Sequence, residues 1–190
     1  EEAGSCVRHA PLFHPAMKNV APIRKELAVK TFFNMLGPMV NPAFPKNQMV
    51  GVFNLELARM YGYLYQNTDK NFTVLHALDG YDEISLTGAT KTISNGAEGI
   101  LTPSDFGIPK VNANAIAGGD DVADSAQIFM EVLQGKGTEA QNNVVCANAG
   151  VAIATVEDIS PKEGFERAKE ALMTGKGLQA LKKVQELSKN

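Results

Sequence analysis

The chain has 190 residues, a formal net charge of −3 and a sequence pI near 5.7, values typical of a single globular domain with one substantial core. The acidic balance argues against a nucleic-acid or membrane-surface partner, because both favour basic patches. No apolar run approaches the roughly 20 residues of a membrane span, and no basic segment followed by an apolar run indicates a secretory signal.

Two cysteines, Cys6 and Cys146, are too few for a disulfide framework, and both lie in apolar stretches. We therefore expect two reduced and buried thiols in a cytoplasmic protein. The chain begins at Glu1 without a methionine, and a strand-like segment follows almost at once. This start predicts a fragment whose N-terminal part has been removed.

The first half of the chain alternates predicted strands and helices. Residues 5–9 are expected to form a short strand, and residues 16–27 have helical composition that Pro22 must break or kink. Residues 48–53 predict the next strand. Residues 55–66 then predict a helix, because apolar side chains recur at positions 57, 60, 61, 64 and 65.

The middle of the chain predicts further strands. Residues 72–78 are apolar on both faces, which suits an inner strand of a sheet covered on both sides. Residues 90–94 and 99–102 predict two shorter strands separated by the Asn95-Gly96 turn signal.

The C-terminal third is predicted to be helical. The first helix ends at Gly135, and its predicted apolar face consists of Val122, Ala126, Phe129, Met130 and Leu133. Residues 140–156 are nearly all small and apolar, so they predict a buried helix. A capping-box spacing with proline at the first helical position then starts another helix at Ser160-Pro161-Lys162-Glu163.

Two apolar faces complete the helical part. The helix that starts after Ser160 carries Phe165, Ala168 and Leu172 and ends at Gly175. A last amphipathic helix uses Leu178, Leu181, Val184 and Leu187. Strands alternating with helices, followed by a helical tail, predict one α/β domain over residues 1–190, with a largely parallel central sheet flanked by helices.

The first candidate site lies near the start of the chain. Arg24 precedes the apolar Phe32-Phe33 pair, and a guanidinium beside apolar walls suits a small aromatic acid, because its fork pairs a carboxylate through two hydrogen bonds. A solvated helix charge is the alternative. His14, fixed by the proline after it, is either a ring at the edge of a cleft or a histidine that holds a loop.

The second candidate site follows the apolar strand at residues 72–78. Asp82 and Glu83 are adjacent in the sequence, and in a loop both side chains can turn towards one hard cation. Mg²⁺ prefers oxygen ligands and often takes one or two carboxylates plus substrate phosphates. Ligands of α/β domains also bind beyond the carboxyl ends of strands. The alternative is a solvated turn, in which Asp-Gly is common.

Other phosphate-binding signals are weak. The sequence has no Gly-rich phosphate loop of either common pattern. The nearest segment, Gly118-Gly119-Asp120-Asp121, is interpreted as a loop with an aspartate helix cap.

Three motifs together closely resemble anthranilate phosphoribosyltransferases. They are His14-Pro-Ala-Met-Lys18-Asn-Val-Ala-Pro-Ile-Arg24, then Thr31-Phe-Phe-Asn34-Met-Leu-Gly37-Pro38 with Asn41-Pro42, and Asp79-Gly-Tyr-Asp82-Glu83. The resemblance covers essentially the whole chain. It implies a nucleoside-phosphorylase-like α/β domain and a full protein with a helical N-terminal portion that forms a homodimer. That family joins anthranilate to phosphoribosyl pyrophosphate in tryptophan biosynthesis, using Mg²⁺.

The resemblance also implies roles for individual residues. Arg24 corresponds to the residue that holds the anthranilate carboxylate, and Asp82 and Glu83 to the ligands of the magnesium that meets the pyrophosphate. The implied lining of the anthranilate channel is Ala10, His14, Met17 and Pro38. The implied reaction is a displacement at the anomeric carbon with an oxocarbenium-like transition state. The amine is neutral at pH 7, so positioning dominates over base catalysis.

The family's Gly-rich loop for the phosphoribosyl substrate and its helical domain belong upstream of these residues. We therefore expect this fragment alone to be inactive. Two alternatives stay open at this point. One is a related enzyme such as a pyrimidine nucleoside phosphorylase, and the other is a non-catalytic paralogue that binds nucleic acid.

Overall fold

A computed structural model describes residues 33–188, together with the isolated positions 2, 4, 5, 22, 23 and 26. The chain divides into two compact units, Glu1–Phe44 with Gln179–Asn190, and Pro45–Leu178. Most of the predicted strand at residues 5–9 and most of the predicted helix at 16–27 lie outside the described residues. No helix in the part of the chain that the structure describes is long and apolar enough to cross a membrane.

A four-stranded sheet lies in the second unit, with the strands adjacent in chain order. The strands are β1 (Asn47–Gly51), β2 (Asn71–Ala77), β3 (Thr90–Ser94) and β4 (Ala97–Leu101). Strand β2 pairs in parallel with β1 and antiparallel with β3, and β3 pairs antiparallel with β4 across the predicted Asn95-Gly96 turn. The inner strand β2 is buried from its second residue to its end, as its apolar sequence predicts.

The α/β class is confirmed, but the described strands form a mixed sheet, with one parallel pair and two antiparallel pairs. The difference follows from the connections. A helix, α2 (Leu55–Tyr65), links the parallel strands, as a parallel crossover requires. The connection from β2 to β3 at residues 78–89 contains no helix, so the chain reverses direction.

Helix α2 begins at the cap Asn54, whose side chain accepts a hydrogen bond from the backbone N–H of Leu57 at 2.8 Å. Its buried face consists of Leu57, Ala58, Tyr61, Gly62 and Tyr65. The predicted face also included positions 60 and 64, which are exposed. The small residues Ala58 and Gly62 lie against the sheet in their place, since a Cβ on Gly62 would lie 2.8 Å from Ile93 Cγ2.

Five further α-helices are described, besides two short 3-10 helices at Pro103–Phe106 and Ala113–Ile116. The five α-helices are α1 (Phe33–Leu36), α3 (Val122–Leu133), α4 (Glu139–Glu157), α5 (Pro161–Met173) and α6 (Lys176–Leu187). The caps predicted for two of them form, because Asp121 accepts from the N–H of Asp124 and Ser160 accepts from the N–H of Glu163. Helix α5 buries Phe165, Ala168 and Leu172, as its sequence predicts.

The face predicted for α3 is wrong for three of its five residues, since only Met130 and Leu133 are partly buried. Val122 is 87% exposed and Phe129 is 53% exposed, and Val132 is the buried residue of this helix. Ile128, one turn before Val132, also packs against the core. The periodic apolar stripe is present in the sequence, but the core meets α3 along a neighbouring line of side chains.

The core of the second unit lies between the sheet and helices α4 and α5. Its largest fully buried side chains include Leu75, Ile84, Leu86, Phe106 and Phe165. The buried thiol predicted for the second cysteine is confirmed, and burial raises the pKa of Cys146. Cys6 lies outside the described residues.

Helices α4 and α5 meet backbone against backbone. A Cβ added to Gly164 would lie 2.2 Å from the carbonyl oxygen of Gly150, and one on Gly150 would lie 2.5 Å from the backbone nitrogen of Phe165. Because neither glycine has a side chain to separate the helices, α4 is held close to α5 while it packs on the sheet.

Candidate functional site

The connection from β2 to β3, residues 78–89, is named here the acidic loop. It starts beyond Ala77, at the edge of the sheet where the parallel strands β1 and β2 both end. The backbone N–H of Leu78 donates to the carbonyl of Ala89 at 2.8 Å, and the N–H of Ala77 donates to the carbonyl of Tyr81 at 2.9 Å. Gly80 adopts a positive φ of 108° that permits the turn. The loop is therefore closed at its base.

The carboxylate of Asp79 organises the acidic loop from inside. It accepts a hydrogen bond from the hydroxyl of Ser85 at 3.3 Å and another from the hydroxyl of Thr87. The two hydroxyl oxygens lie 2.8 Å apart. Ser85 and Thr87 are buried, so this carboxylate satisfies polar groups that water does not reach. Asp79 therefore stabilises the conformation of the acidic loop.

Asp82 and Glu83 are both exposed. Within the described part of the chain, neither side chain forms a hydrogen bond or an ion pair. The backbone at Asp82 lies directly against the end of β1, because a Cβ on Gly51 would come within 1.5 Å of the Asp82 carbonyl oxygen. The two carboxylates are thus free to bind a ligand, on a backbone that is closely packed.

Helix α4 holds the other side of the acidic loop. Asn148 accepts a hydrogen bond from the backbone N–H of Ile84 at 2.9 Å and donates to the Ile84 carbonyl at 2.8 Å. Further on, Leu86 is fully buried with a positive φ of 59°, and its carbonyl accepts from the N–H of Val111 at 3.0 Å. A buried leucine in the left-handed region persists only where its surroundings hold it.

His76 lies near the end of β2 and is buried. Its Nδ1 is 2.8 Å from the carbonyl oxygen of Val52, which follows the end of β1. Sequence reasoning missed both His76 and Asn148. The available signal was a polar residue between apolar neighbours in the strand and in the helix, since a buried polar group needs a partner.

The structure describes one of the two predicted groups of site residues. Asp82 and Glu83 lie together on the acidic loop. Pro38 is half-buried in the turn after α1, within the first compact unit. The other predicted positions, Ala10, His14, Met17 and Arg24, lie outside the described residues.

The donor set of the acidic loop fits magnesium. Both carboxylates supply hard oxygen ligands. The described residues contain no group of three or more His, Cys, Asp or Glu side chains that could enclose an ion. Mg²⁺ is characteristically held by one or two carboxylates, with water and substrate phosphates completing its shell. An open pair of carboxylates suits this kind of shared site.

In this α/β domain, an exposed pair of carboxylates lies on a loop beyond the carboxyl ends of the parallel strands. Ligands of α/β domains characteristically bind at this end of the sheet. The chain belongs to the glycosyl transferase family, a/b domain, which it matches over residues 1–178.

Individual relatives agree with this assignment. The chain is 72% identical over 188 residues to an anthranilate phosphoribosyltransferase from Flavobacterium psychrophilum, covering 99% of this chain and 57% of that protein. It therefore spans little more than half the length of the curated relative.

Two solved structures resemble the fold. Anthranilate phosphoribosyltransferase from Thermus thermophilus matches with a TM-score of 0.84 and 32% identity, over 92% of this chain and 53% of that one. The enzyme from Saccharomyces cerevisiae in complex with PRPP and Mg matches with a TM-score of 0.82 and 29% identity, over 92% of this chain and 50% of that one.

Proposed function

We propose that this chain is the α/β catalytic portion of an anthranilate phosphoribosyltransferase, which transfers the phosphoribosyl group of phosphoribosyl pyrophosphate to the amine of anthranilate in tryptophan biosynthesis. The observation that carries the proposal is the exposed Asp82–Glu83 pair on a closely held loop at the carboxyl edge of the strands. The similarity to enzymes of this name supports it.

In this proposal Asp82 and Glu83 hold Mg²⁺, which supplies positive charge to stabilise the leaving pyrophosphate. The two side chains provide oxygen ligands and leave the remaining positions to water and substrate oxygens. The yeast structure that contains PRPP and Mg supports this use of the metal. Asp79 is assigned a supporting role, because both of its oxygens accept hydrogen bonds from Ser85 and Thr87 within the acidic loop.

The residues proposed to bind the acceptor lie outside the described part of the chain, except for Pro38. Arg24 pairs the anthranilate carboxylate through its two-pronged guanidinium. The anthranilate channel is lined by Ala10, His14, Met17 and Pro38. A guanidinium pairs with the carboxylate of an acidic acceptor, and a neutral base has no such group. Arg24 therefore favours anthranilate over a neutral base as the acceptor.

In the reaction, the amine nitrogen forms a bond to the anomeric carbon as the carbon–oxygen bond to pyrophosphate breaks. The nitrogen then loses a proton to solvent. Because the aromatic amine is neutral at pH 7, the residues of the chain contribute mainly by holding the two substrates in line. No residue is assigned as a general base.

The proposal extends to a longer protein. The phosphoribosyl-binding Gly-rich loop and a helical portion that forms a homodimer are placed upstream of these residues, in a cytoplasmic enzyme. These 190 residues alone are therefore expected to form no product with both substrates and Mg²⁺. Product formed by the isolated chain would contradict this division of the site.

The test is a steady-state assay of the full-length protein that contains this chain. We expect Asp82→Asn to raise the Mg²⁺ concentration for half-maximal rate by about tenfold or more. Asp69→Asn is the matched control, since Asp69 is an exposed aspartate that precedes the opposite end of β2. We expect Arg24→Ala to raise the KM for anthranilate far more than the KM for phosphoribosyl pyrophosphate.

The outcomes separate the parts of the proposal. An unchanged metal requirement in Asp82→Asn would place the ion elsewhere. Equal effects of Arg24→Ala on both KM values would make that arginine structural. Absence of product from the parent protein, or phosphorolysis of a pyrimidine nucleoside in its place, would overturn the function.

A further inference from the structure

We propose that Asn148, in helix α4, is a positioning residue for the carboxylates of Asp82 and Glu83, an inference that rests on the function proposed above. Its side-chain oxygen accepts from the backbone N–H of Ile84 at 2.9 Å, and its Nδ2 donates to the Ile84 carbonyl at 2.8 Å. The same Nδ2 donates to the carbonyl of Val144, one turn earlier in the helix, at 2.9 Å. The amide therefore joins the helix to the residue next to Glu83.

These bonds define the orientation of the amide. An amide nitrogen only donates hydrogen bonds and an amide oxygen only accepts them. A flipped Asn148 would place its oxygen against the carbonyl of Ile84 and its nitrogen against the N–H of Ile84, and both bonds would be lost. The third bond, to Val144, restrains the side chain against its own helix. These three hydrogen bonds together fix the orientation of the Asn148 side chain.

Ile84 depends on this partner because it is buried, at 2% exposure, while it lies outside the strands. Buried backbone N–H and C=O groups require hydrogen-bond partners. Asn148 supplies both, as a neighbouring strand would do in a sheet. Without the amide, the two backbone groups of Ile84 could be satisfied only if this part of the acidic loop moved towards water.

The carboxylate pair lies between two restrained points. Asp79 holds one side of the acidic loop through the hydroxyls of Ser85 and Thr87, and Asn148 holds the other side. Neither restraint uses the Asp82 or Glu83 side chains, which stay exposed. Ligands that are already held in place lose less conformational freedom on binding, so the restraint contributes to metal affinity.

The test compares Asn148→Ala with Asn95→Ala in the full-length protein. Asn95 is a matched control because its amide also makes two backbone hydrogen bonds. It accepts from the N–H of Phe72 at 2.8 Å and donates to the carbonyl of Lys70 at 2.7 Å, at the other end of β2. Binding of Mn²⁺, a spectroscopic substitute for Mg²⁺, is measured by electron paramagnetic resonance with phosphoribosyl pyrophosphate present. Backbone hydrogen exchange is measured over residues 80–86.

We expect Asn148→Ala to raise the half-saturating Mn²⁺ concentration by up to about tenfold, the lower end of the loss caused by removing a direct partner of a metal ligand, and to speed exchange over residues 80–86. We expect Asn95→Ala to change neither quantity. Asn148→Leu, which is neutral and keeps the side-chain volume, should give the same result and replaces the alanine variant if that variant does not fold.

Two kinds of failure are distinguishable. If the parent protein binds Mn²⁺ and a folded Asn148 variant binds it equally well, or if Asn95→Ala causes an equal loss, the positioning role is overturned while the proposed function stands. If the parent protein binds no Mn²⁺ in the presence of phosphoribosyl pyrophosphate, the proposed function is overturned, and the inference about Asn148 fails with it.

Discussion

At each end of strand β2 an asparagine amide forms two hydrogen bonds to the backbone, but the two asparagines come from different parts of the chain. At the amino end, Asn95 in the β3–β4 turn bonds the backbone of Phe72 and Lys70. At the carboxyl end, Asn148 makes the same pair of bonds to Ile84 across 64 residues of sequence. The asparagine at the amino end belongs to a hairpin turn, and the asparagine at the carboxyl end belongs to helix α4.

This difference shows which end depends on the packing of a helix against the sheet. The contact of Asn95 forms when β3 pairs with β2 within the sheet. The contact of Asn148 exists only when helix α4 is packed on the sheet. The end that needs the packed helix is also the end that carries Asp82 and Glu83, in keeping with functional loops that a rigid scaffold positions.

The largest expected effect comes from a glycine at the carboxyl end. Gly51→Ala would place a Cβ 1.5 Å from the carbonyl oxygen of Asp82, so the acidic loop would have to move. We expect the free energy of unfolding to fall by about 3 kcal/mol or more, and Mn²⁺ binding to weaken. Urea unfolding followed by circular dichroism measures the first effect.

Gly96→Ala is the control at the amino end. Gly96 has a φ of 72°, but its Cβ would meet nothing within 4 Å. The cost should therefore be about 1–2 kcal/mol from the left-handed backbone alone, without any change in metal binding. Equal losses of stability in the Gly51 and Gly96 variants would contradict the proposed difference between the two ends.

An intermediate effect is expected at Asp79. Asp79→Ala leaves the buried hydroxyls of Ser85 and Thr87 without their acceptor, which should cost about 2 kcal/mol. Asp79→Asn keeps one acceptor oxygen and should cost roughly half as much. Thermal unfolding monitored by calorimetry compares the two variants. A melting temperature unchanged in both would mean that these hydrogen bonds do not hold the acidic loop.

The smallest effect at neutral pH is expected at Tyr65, which packs at the amino end with its ring centroid 5.4 Å from that of Phe72. Its hydroxyl has no hydrogen-bond partner among the residues that the structure describes. Burial raises the pKa of Tyr65 to about 12, and the neighbouring Tyr61 adds to the shift. Since the folded state holds the proton more tightly, stability is retained below about pH 10 and lost as the pH rises towards 12.

Tyr65→Phe should therefore change the free energy of unfolding by less than about 1 kcal/mol at pH 7 and should reduce the loss of stability at about pH 11. Urea unfolding at both pH values measures the change. Tyr63→Phe is the control, because Tyr63 lies in the same helix and is 67% exposed. An identical alkaline response in Tyr65→Phe and the parent protein would show that another group titrates.

Much of the fold could be predicted because it depends on local patterns. The apolar strand at residues 72–78, the Asn95-Gly96 turn and the cap at Ser160 each carry their signal within a few residues. The buried face of α5 also follows its helical spacing. Periodicity shows which side chains are apolar, however, and not which of them another element covers. For this reason the predicted apolar face of α3 includes Val122, which is exposed.

The candidate site was less accessible to sequence reasoning. Asp82 and Glu83 were predicted from their position after an apolar strand, and both lie together on the exposed acidic loop. The supporting contacts could not be predicted, since nothing near Ile84 indicates that Asn148 would satisfy its backbone. The fit of Gly51 against the Asp82 carbonyl is likewise a property of the packed sheet edge.

The glycine contact between helices α4 and α5 has a consequence for sequence variation. Because Gly164 lies against the carbonyl of Gly150 without any side chain between them, no change of rotamer can absorb an added methyl group at either position. Asn148 stands two residues before Gly150, so a shift of α4 along its axis would also withdraw the amide from Ile84. Substitutions at position 164 should therefore be rejected even though the position lies on a different helix from the amide.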